Sequence, residues 1–276
     1  CGEQGQYDHH RRRFDHCGRK GDRKNCGEAY NSRTSSEVKG EGGACIMFRI
    51  TFNGEDSMRH SIIPVRRPNI PAPEERVEEI TVPGRDGILT ISEGIYEQIT
   101  IPVEFNFMSE EDEWGKTFRK AKKWLTGSGK LIFSDDAGHF YKVMYCKITD
   151  SERKSYRIGT FTAEFVCDPY AYCSEGEQEI QVSGEIYNPG ARCCPIYRIG
   201  GEGLCEISVN GKIFQANIGQ EIIIDSGRML AYKNDGTSRN TDVNGDYSDL
   251  WLIPGDNTIT VTPGFSVSIQ PGWREL

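Results

Sequence analysis

The sequence predicts a mainly β protein: an α+β N-terminal part with one helix on a β-sheet or barrel, followed by a C-terminal β-sandwich. Three observations carry this. A single capped amphipathic stretch lies between Val103 and Tyr172. The segments on either side of it alternate apolar and polar residues, as half-buried strands do. Beyond Gln178, hairpin signals recur with no helical period among them.

The helix is defined by its ends and its period, over Glu111–Leu125. Ser109 is placed to cap the first turn, with Asp112 following in a capping-box arrangement. Glu110, Glu111, Asp112 and Glu113 fill the positive end of the helix dipole, and Lys116, Arg119, Lys120, Lys122 and Lys123 follow toward the negative end. Trp114, Phe118, Ala121 and Leu125 form one helical face, which is a core face. Gly127 is placed to end the helix in a left-handed conformation.

Ahead of the helix, Phe48, Ile50 and Phe52 share a strand face before the turn signal Asn53-Gly54. Ile62 to Val65 is a short strand. Pro68, Pro71 and Pro73 then mark an extended connection. Glu79–Val82, Pro83-Gly84-Arg85-Asp86-Gly87 and Ile88–Ile91 spell strand, turn, strand. Ile99, Ile101, Val103, Phe105 and Phe107 alternate in a longer strand in which Pro102 predicts an edge position. After the helix come strands over Leu131–Ser134, Phe140–Thr149 and Tyr156–Cys167, joined by polar turns at Asp135–Gly138 and Asp150–Lys154.

A boundary falls near Ala171–Gln178. Beyond it, Ile207–Phe214 is a hairpin around Asn210-Gly211, the dipeptide favoured in type I′ turns. Gln220–Asp225 and Arg228–Tyr232 flank Ser226-Gly227 as another. Leu250–Ile253, the turn Pro254–Asn257, Thr258–Thr262 and Ser266–Gln270 complete the set. Short strands at this spacing predict a sandwich.

Composition limits the function classes. The 276 residues hold 33 basic and 41 acidic side chains, a net charge of −8. That disfavours a protein that grips nucleic acid or anionic membrane without regard to sequence, because neutralising phosphates needs a basic surface. No apolar run approaches the roughly 18 residues of a membrane span, so no membrane insertion is expected. The ten cysteines are expected as free thiols. Cys167 shares a strand face with Phe161, Ala163 and Phe165, and adjacent Cys193 and Cys194 are expected unpaired.

Residues 1–46 differ from the rest. They hold nine Lys/Arg and seven Asp/Glu, with few aliphatic residues beyond Val38 and Ile46. Such a stretch buries too little apolar surface to offset its ordering entropy. Cys17, Cys26, His9, His10 and His16 lack the short spacing of a zinc site. Met47 is the first methionine, and Lys39-Gly40-Glu41-Gly42-Gly43 can be encoded by purine-rich codons like a bacterial ribosome-binding site. The expectation is a disordered segment or a translated leader, with synthesis starting at Met47. Without it the charge is 24 minus 34, or −10.

The chemistry-bearing patterns are weak. Gly127-Ser128-Gly129-Lys130 lacks the P-loop spacing and ends a helix instead of starting one. His139 sits by Asp135 and Asp136, with no triad spacing. Asp242-Val243-Asn244-Gly245-Asp246-Tyr247-Ser248-Asp249 offers oxygens at alternate positions. It has Tyr247 and Ile253 where a calcium loop wants Gly and Glu, so a polar loop is expected. No catalytic, cofactor-binding or metal-binding residue is assigned, no cofactor is expected, and the chain is not expected to be an enzyme.

The body from Met47 to Leu276 resembles the distal tail proteins of long-tailed, non-contractile bacteriophages. The resemblance runs through Met47-Phe48-Arg49-Ile50-Thr51-Phe52-Asn53-Gly54, Val82-Pro83-Gly84-Arg85-Asp86-Gly87, the helix, and Phe165-Val166-Cys167-Asp168-Pro169-Tyr170. It continues with Asn188-Pro189-Gly190, Leu252-Ile253-Pro254-Gly255-Asp256-Asn257 and the terminal Pro271-Gly272-Trp273-Arg274. Residues 1–46 have no counterpart in that family. The resemblance implies a ring-forming tail-hub domain over 47–174 and a galectin-like β-sandwich facing outward over 175–276. It also implies a homo-oligomeric ring, usually a hexamer, that joins the tail tube protein to the tail-associated tip protein and the receptor-binding proteins. DNA would only pass through. The protein would then be made in the host bacterial cytoplasm and reside at the virion tail tip. An acidic body suits a conduit that must not retain DNA. Some relatives carry carbohydrate-binding insertions, for which this chain has no room.

The alternative function is a carbohydrate-binding β-sandwich acting in host-surface adhesion, with Trp251, Trp273, Tyr232 and Tyr247 as aromatic platforms. Packing is the expected role of each.

Overall fold

A computed structural model of the protein describes residues 47–276 except Ser183. The expectations for the 1–46 leader and for its cysteines and histidines lie outside the described residues. Within them, the fold is mainly β with a single α-helix, and its sheets curl.

The first half contains β1 (Ile50–Phe52), β2 (Glu55–Asp56), β3 (Ile62–Pro64), β4 (Glu75–Ile80), β5 (Leu89–Tyr96) and β6 (Ile99–Met108). Then come α1 (Trp114–Trp124), β7 (Gly129–Phe133), β8 (Asp136–Arg153) and β9 (Ile158–Cys173). One antiparallel sheet runs β2-β1-β7-β8-β9-β6-β3, while β4 and β5 pair only with each other. Asn53 and Gly54 both have positive φ (52° and 78°), the type I′ geometry their sequence signals.

Strand β6 buries alternate residues along its whole length, as its sequence predicts. Its inward side chains face those of β9 in register: Ile99 on Cys167, Ile101 on Phe165, Val103 on Ala163 and Phe105 on Phe161. A larger side chain meets a small one at Ile99–Cys167 and Val103–Ala163, and the Phe105 and Phe161 rings stack at 5.3 Å. The helix closes this core with Trp114, Phe118, Ala121, Trp124 and Leu125. Trp124, outside the expected stripe, packs edge-on to Phe52 and Phe105, stacks on His60 at 4.8 Å and donates from Nε1 to the Phe52 carbonyl at 3.3 Å.

The helix N-terminus differs from expectation. It begins at Trp114, and Ser109 does not cap it. The Ser109 amide (2.8 Å) and hydroxyl (3.3 Å) both donate to the Arg157 carbonyl, which extends the β6–β9 pairing. Asp112 then adopts φ 63°, a left-handed conformation that no helical residue can hold. A tertiary partner thus outcompetes the local cap. Gly127 has φ 102° two residues past the C-cap Leu125, close to its expected role.

Pro102 does not lie on an outer strand, because β6 is flanked by β9 and β3. Val65 donates to the Glu104 carbonyl at 2.9 Å, so Glu104 and, two residues earlier, Pro102 turn their backbone toward β3. Strand β3 pairs only with Phe105, Asn106 and Phe107. The missing N–H of Pro102 therefore points past the end of β3, where no ladder bond is lost.

The second half contains β10 (Ile180–Gln181), β11 (Glu185–Asn188), β12 (Ile196–Val209), β13 (Lys212–Asp225), β14 (Leu230–Tyr232), β15 (Val243–Asn244), β16 (Gly255–Val261), β17 (Ser266–Gln270) and β18 (Arg274–Glu275). The hairpin β12–β13 is continuous over fourteen residue pairs, where the sequence predicts short strands. The first part of β12 pairs with β17 and the last part with β16. Gly200 ends the first part, and Gly201-Glu202-Gly203 beyond it, with positive φ at both glycines, breaks the strand's regular path and hides it from propensity. A side chain at Gly201 would stand 2.3 Å from the Phe265 ring. The break lets both parts line one core of Tyr197, Ile199, Cys205, Ile207, Phe214, Ile222, Leu250 and Ile269. Tyr197 is fully buried there, its hydroxyl donating to the Leu250 carbonyl at 2.7 Å. The expected strand Leu250–Ile253 is instead a one-turn 3-10 helix over Tyr247–Leu250 and an isolated bridge between Leu252 and Cys193.

The chain end returns to the first sheet. Strand β18 pairs with β9 through Arg274 to Tyr172 and Glu275 to Ala171. Cys173 donates to the Trp273 carbonyl at 2.9 Å, and Ala191 to the Arg274 carbonyl at 2.7 Å.

Candidate functional site

The sequence assigns no catalytic, cofactor or metal residues, and its weak patterns are engaged locally. Gly129 opens β7, and the Lys130 ammonium donates to Glu177 at 2.6 Å instead of standing in a phosphate cradle. His139 Nδ1 lies 2.8 Å from Asp136, while Asp135 pairs with Arg67. In the Asp242–Asp249 loop, Asp242 meets Arg239 at 3.2 Å and Asp249 meets Lys212 at 2.7 Å. Asp246 accepts from the Ser248 amide at 2.9 Å, which depresses its carboxyl pKa. These carboxylates are committed to separate partners.

The six cysteines among the described residues are free thiols. Burial pushes Cys146, Cys167 and Cys193 up to about 12, so they behave as small apolar side chains.

The aromatic residues of the carbohydrate alternative are built into the fold. Trp251 donates to the Ser226 carbonyl at 3.1 Å and carries the Arg192 guanidinium on its ring at 4.7 Å. Trp273 packs so closely on Gly176 that a Cβ there would stand 2.3 Å from its amide nitrogen. Tyr247 packs on Phe214 at 5.3 Å, and Tyr232 pairs with Ile223 in the β13–β14 ladder.

Two surface features remain. The first is the hairpin β4–β5. Val82 accepts from Arg85 at 3.2 Å around Pro83-Gly84, a turn that needs the positive φ of Gly84 (80°). Among the described residues the hairpin shares a ladder with no other strand, and its apolar side chains are exposed: Val77 is 44% exposed, Ile91 44% and Ile95 45%. Its charge is mostly acidic, with Glu74, Glu75, Glu78, Glu79, Asp86, Glu93 and Glu97 against Arg76 and Arg85. An isolated two-stranded hairpin is marginal in water, and an uncovered apolar strand invites pairing.

The second feature is a cleft of about 460 Å³ at the root of that hairpin. Tyr96, Asp168, Tyr170, Arg192, Trp251 and Arg274 line it. Arg274 lies 3.9 Å over the Tyr170 ring and donates from Nε to the Arg192 carbonyl at 2.6 Å. Tyr172 donates its hydroxyl to Asp168 at 3.1 Å, and burial, with Asp168, raises its phenol pKa. Sequence reasoning quoted the Cys167–Tyr170 and Pro271–Arg274 motifs that supply much of this wall, without bringing them together.

Comparison with known proteins fits this architecture. Residues 49–167 match the model of the phage tail protein RIFT-related domain. This segment is a phage tail domain. The match covers α1, the solitary hairpin and the first sheet as far as Cys167 in β9. Among solved structures, the chain is similar to the Dit protein (gp 19.1) of phage SPP1, described as a paradigm of the hub adsorption apparatus in phages infecting Gram-positive hosts. The TM-score is 0.58 at 15% identity, covering 83% of this chain and 98% of that one. At that identity the likeness is one of fold. No curated protein sequence matches the chain. The resemblance to distal tail proteins seen in the sequence is supported by both the domain and the fold, and the role is that of a structural component of a bacteriophage tail.

Proposed function

We propose that the chain is the hub at the distal end of a phage tail tube, assembled as a hexameric ring. In this reading residues 47–174 form the ring, and residues 175–276 form the outward part that meets the tip and receptor-binding proteins. The ring seats on the tail tube protein, passes DNA through its hole, and acts by scaffolding, not catalysis. It assembles in the host cytoplasm and resides at the tail tip.

The solitary hairpin β4–β5 carries the proposal. Its exposed Val77, Ile91 and Ile95 have no cover among the described residues, and a second copy would supply one. Burying such side chains gains about 25 cal/mol for each Å² of apolar surface removed from water. Sedimentation velocity of the full chain tests this. A species of several copies, lost on Ile91→Lys, is expected. An oligomer indifferent to Ile91→Lys would refute the role of the hairpin. A monomer at every concentration would refute the ring.

A further inference from the structure

A second copy that covers the hairpin needs a matching surface, and α1 presents one. Of the 24 basic residues between Met47 and Leu276, five fall within Lys116–Lys123, a stretch with no carboxylate. The helix turns its apolar stripe to the core and leaves these five cations exposed. Lys116 pairs with Glu113 at 2.7 Å, and Lys122 lies over the Phe118 ring at 5.0 Å. Among the described residues, Arg119, Lys120 and Lys123 have no carboxylate within ion-pair distance. Like charges four residues apart, as at Arg119 and Lys123, repel along a helix. An anionic partner relieves that repulsion.

The hairpin β4–β5 has two unlike faces. Glu78 stands opposite Ile91 and Ile80 opposite Leu89, so these four side chains share one face. The other face sets Val77 among Glu79, Thr90 and Ser92 and is mostly polar. On the apolar face, Leu89 and Ile91 are exposed. Among the described residues, neither Glu78 nor Glu93, two residues beyond Ile91, has a cation within ion-pair distance. An apolar stripe edged by such carboxylates fits a row of lysines and arginines. Their alkyl stems cover apolar surface while their heads reach the acids. Among the described residues, no hydrogen bond or ion pair joins the hairpin to α1 of the same chain.

We propose that the Leu89–Ile91 face of the hairpin docks on the cationic face of α1 in the next copy, with Glu78 and Glu93 meeting Arg119, Lys120 and Lys123. This rests on the ring reading of the hairpin and names the surface that receives it. The two faces differ, so the contact runs head to tail, the kind that closes into a ring when its rotation allows. Each chain carries both halves. A nucleic acid would answer the cations and leave Leu89 and Ile91 uncovered, whereas a second copy answers both.

Sedimentation velocity of two full-chain variants tests this, each with circular dichroism unchanged. One reverses the hairpin acids (Glu78→Lys with Glu93→Lys), the other the helix cations (Arg119→Glu with Lys123→Glu). Each alone is expected to associate at least about tenfold more weakly than the unaltered chain, because like charges then face each other. An equimolar mixture of the two is expected to assemble again, since the hairpin of each meets the opposite charge on the helix of the other. That recovery also shows that both variants are folded. A variant that assembles like the unaltered chain, or a mixture that stays apart, overturns the proposal. A hexamer indifferent to both reversals refutes this contact and leaves the ring standing. A mixture that recovers only pairs supports the contact and refutes the ring. A monomeric unaltered chain at every concentration refutes both. A DNA duplex held by the unaltered chain and released by the helix variant, with assembly unchanged, overturns the proposal in favour of nucleic acid.

Discussion

Asn257→Asp changes one atom in a buried side chain and exposes the logic of the second core. Asn257 is 1% exposed, and its amide uses every site it has. Oδ1 accepts from the Ile253 amide at 2.9 Å and from Asn210 Nδ2 at 2.8 Å, while Nδ2 donates to the Ile253 and Gly255 carbonyls at 2.8 and 2.9 Å. Aspartate keeps the shape and both accepted bonds. It replaces the donor with an oxygen facing two carbonyls. Losing the two donated bonds costs about 1 kcal/mol each, and leaving both carbonyls without a donor beside a buried charge adds about 1–3 kcal/mol. The expected loss is about 3–5 kcal/mol at pH 7, a large share of the roughly 5–15 kcal/mol of a typical domain. Its pH dependence has a fixed sign. Burial and the facing carbonyls raise the folded carboxyl pKa above its unfolded value of about 3.9, and the protonated form can donate again. The deficit relative to the unaltered protein is therefore smallest below the unfolded pKa and grows as pH rises through the folded one. Urea unfolding of both proteins between pH 4 and pH 8 measures it. A loss below about 0.5 kcal/mol, or a deficit that does not change with pH, would refute this account of the turn.

Other outcomes follow from the packing. A Cβ at Gly159 would stand 2.3 Å from the Phe107 ring and 2.6 Å from Trp114 Nε1, so Gly159→Ala is expected to cost about 1–3 kcal/mol. An unchanged urea midpoint would contradict that contact. Trp124→Ala removes a ring wedged between Phe52, Phe105 and His60, and a loss of about 3–5 kcal/mol is expected. A loss under 1 kcal/mol would mean the helix is not seated as described. Burial holds the Cys167 and Cys193 thiols near a pKa of about 12, so iodoacetamide at pH 8 is expected to label them only after unfolding. Rapid labelling in the folded protein, read by mass spectrometry, would contradict their burial.

What the sequence reveals follows the range of the forces involved. Strand β6 is legible to its last residue because one face of alternating Ile, Val and Phe is wholly buried. The helix face is legible for the same reason, through Trp114, Phe118 and Ala121. Its start is not, because Ser109 is claimed by the distant Arg157 carbonyl. The first part of β12 is masked by Gly200, Gly201 and Gly203, whose role depends on Phe265 and on the partners β16 and β17. Strand, turn and strand are visible in Glu79–Ile91, yet nothing in their pattern says the hairpin pairs with no other strand. The cleft is the least legible feature. It joins Tyr96, Tyr170, Arg192, Trp251 and Arg274, and the return of β18 to β9 closes it.

The central claim is that this tail protein works as a ring. Negative-stain electron microscopy of the purified full chain tests it most directly. The account predicts closed rings with a central hole, and their disappearance in Ile91→Lys. Uniform single-copy particles at high protein concentration would contradict it.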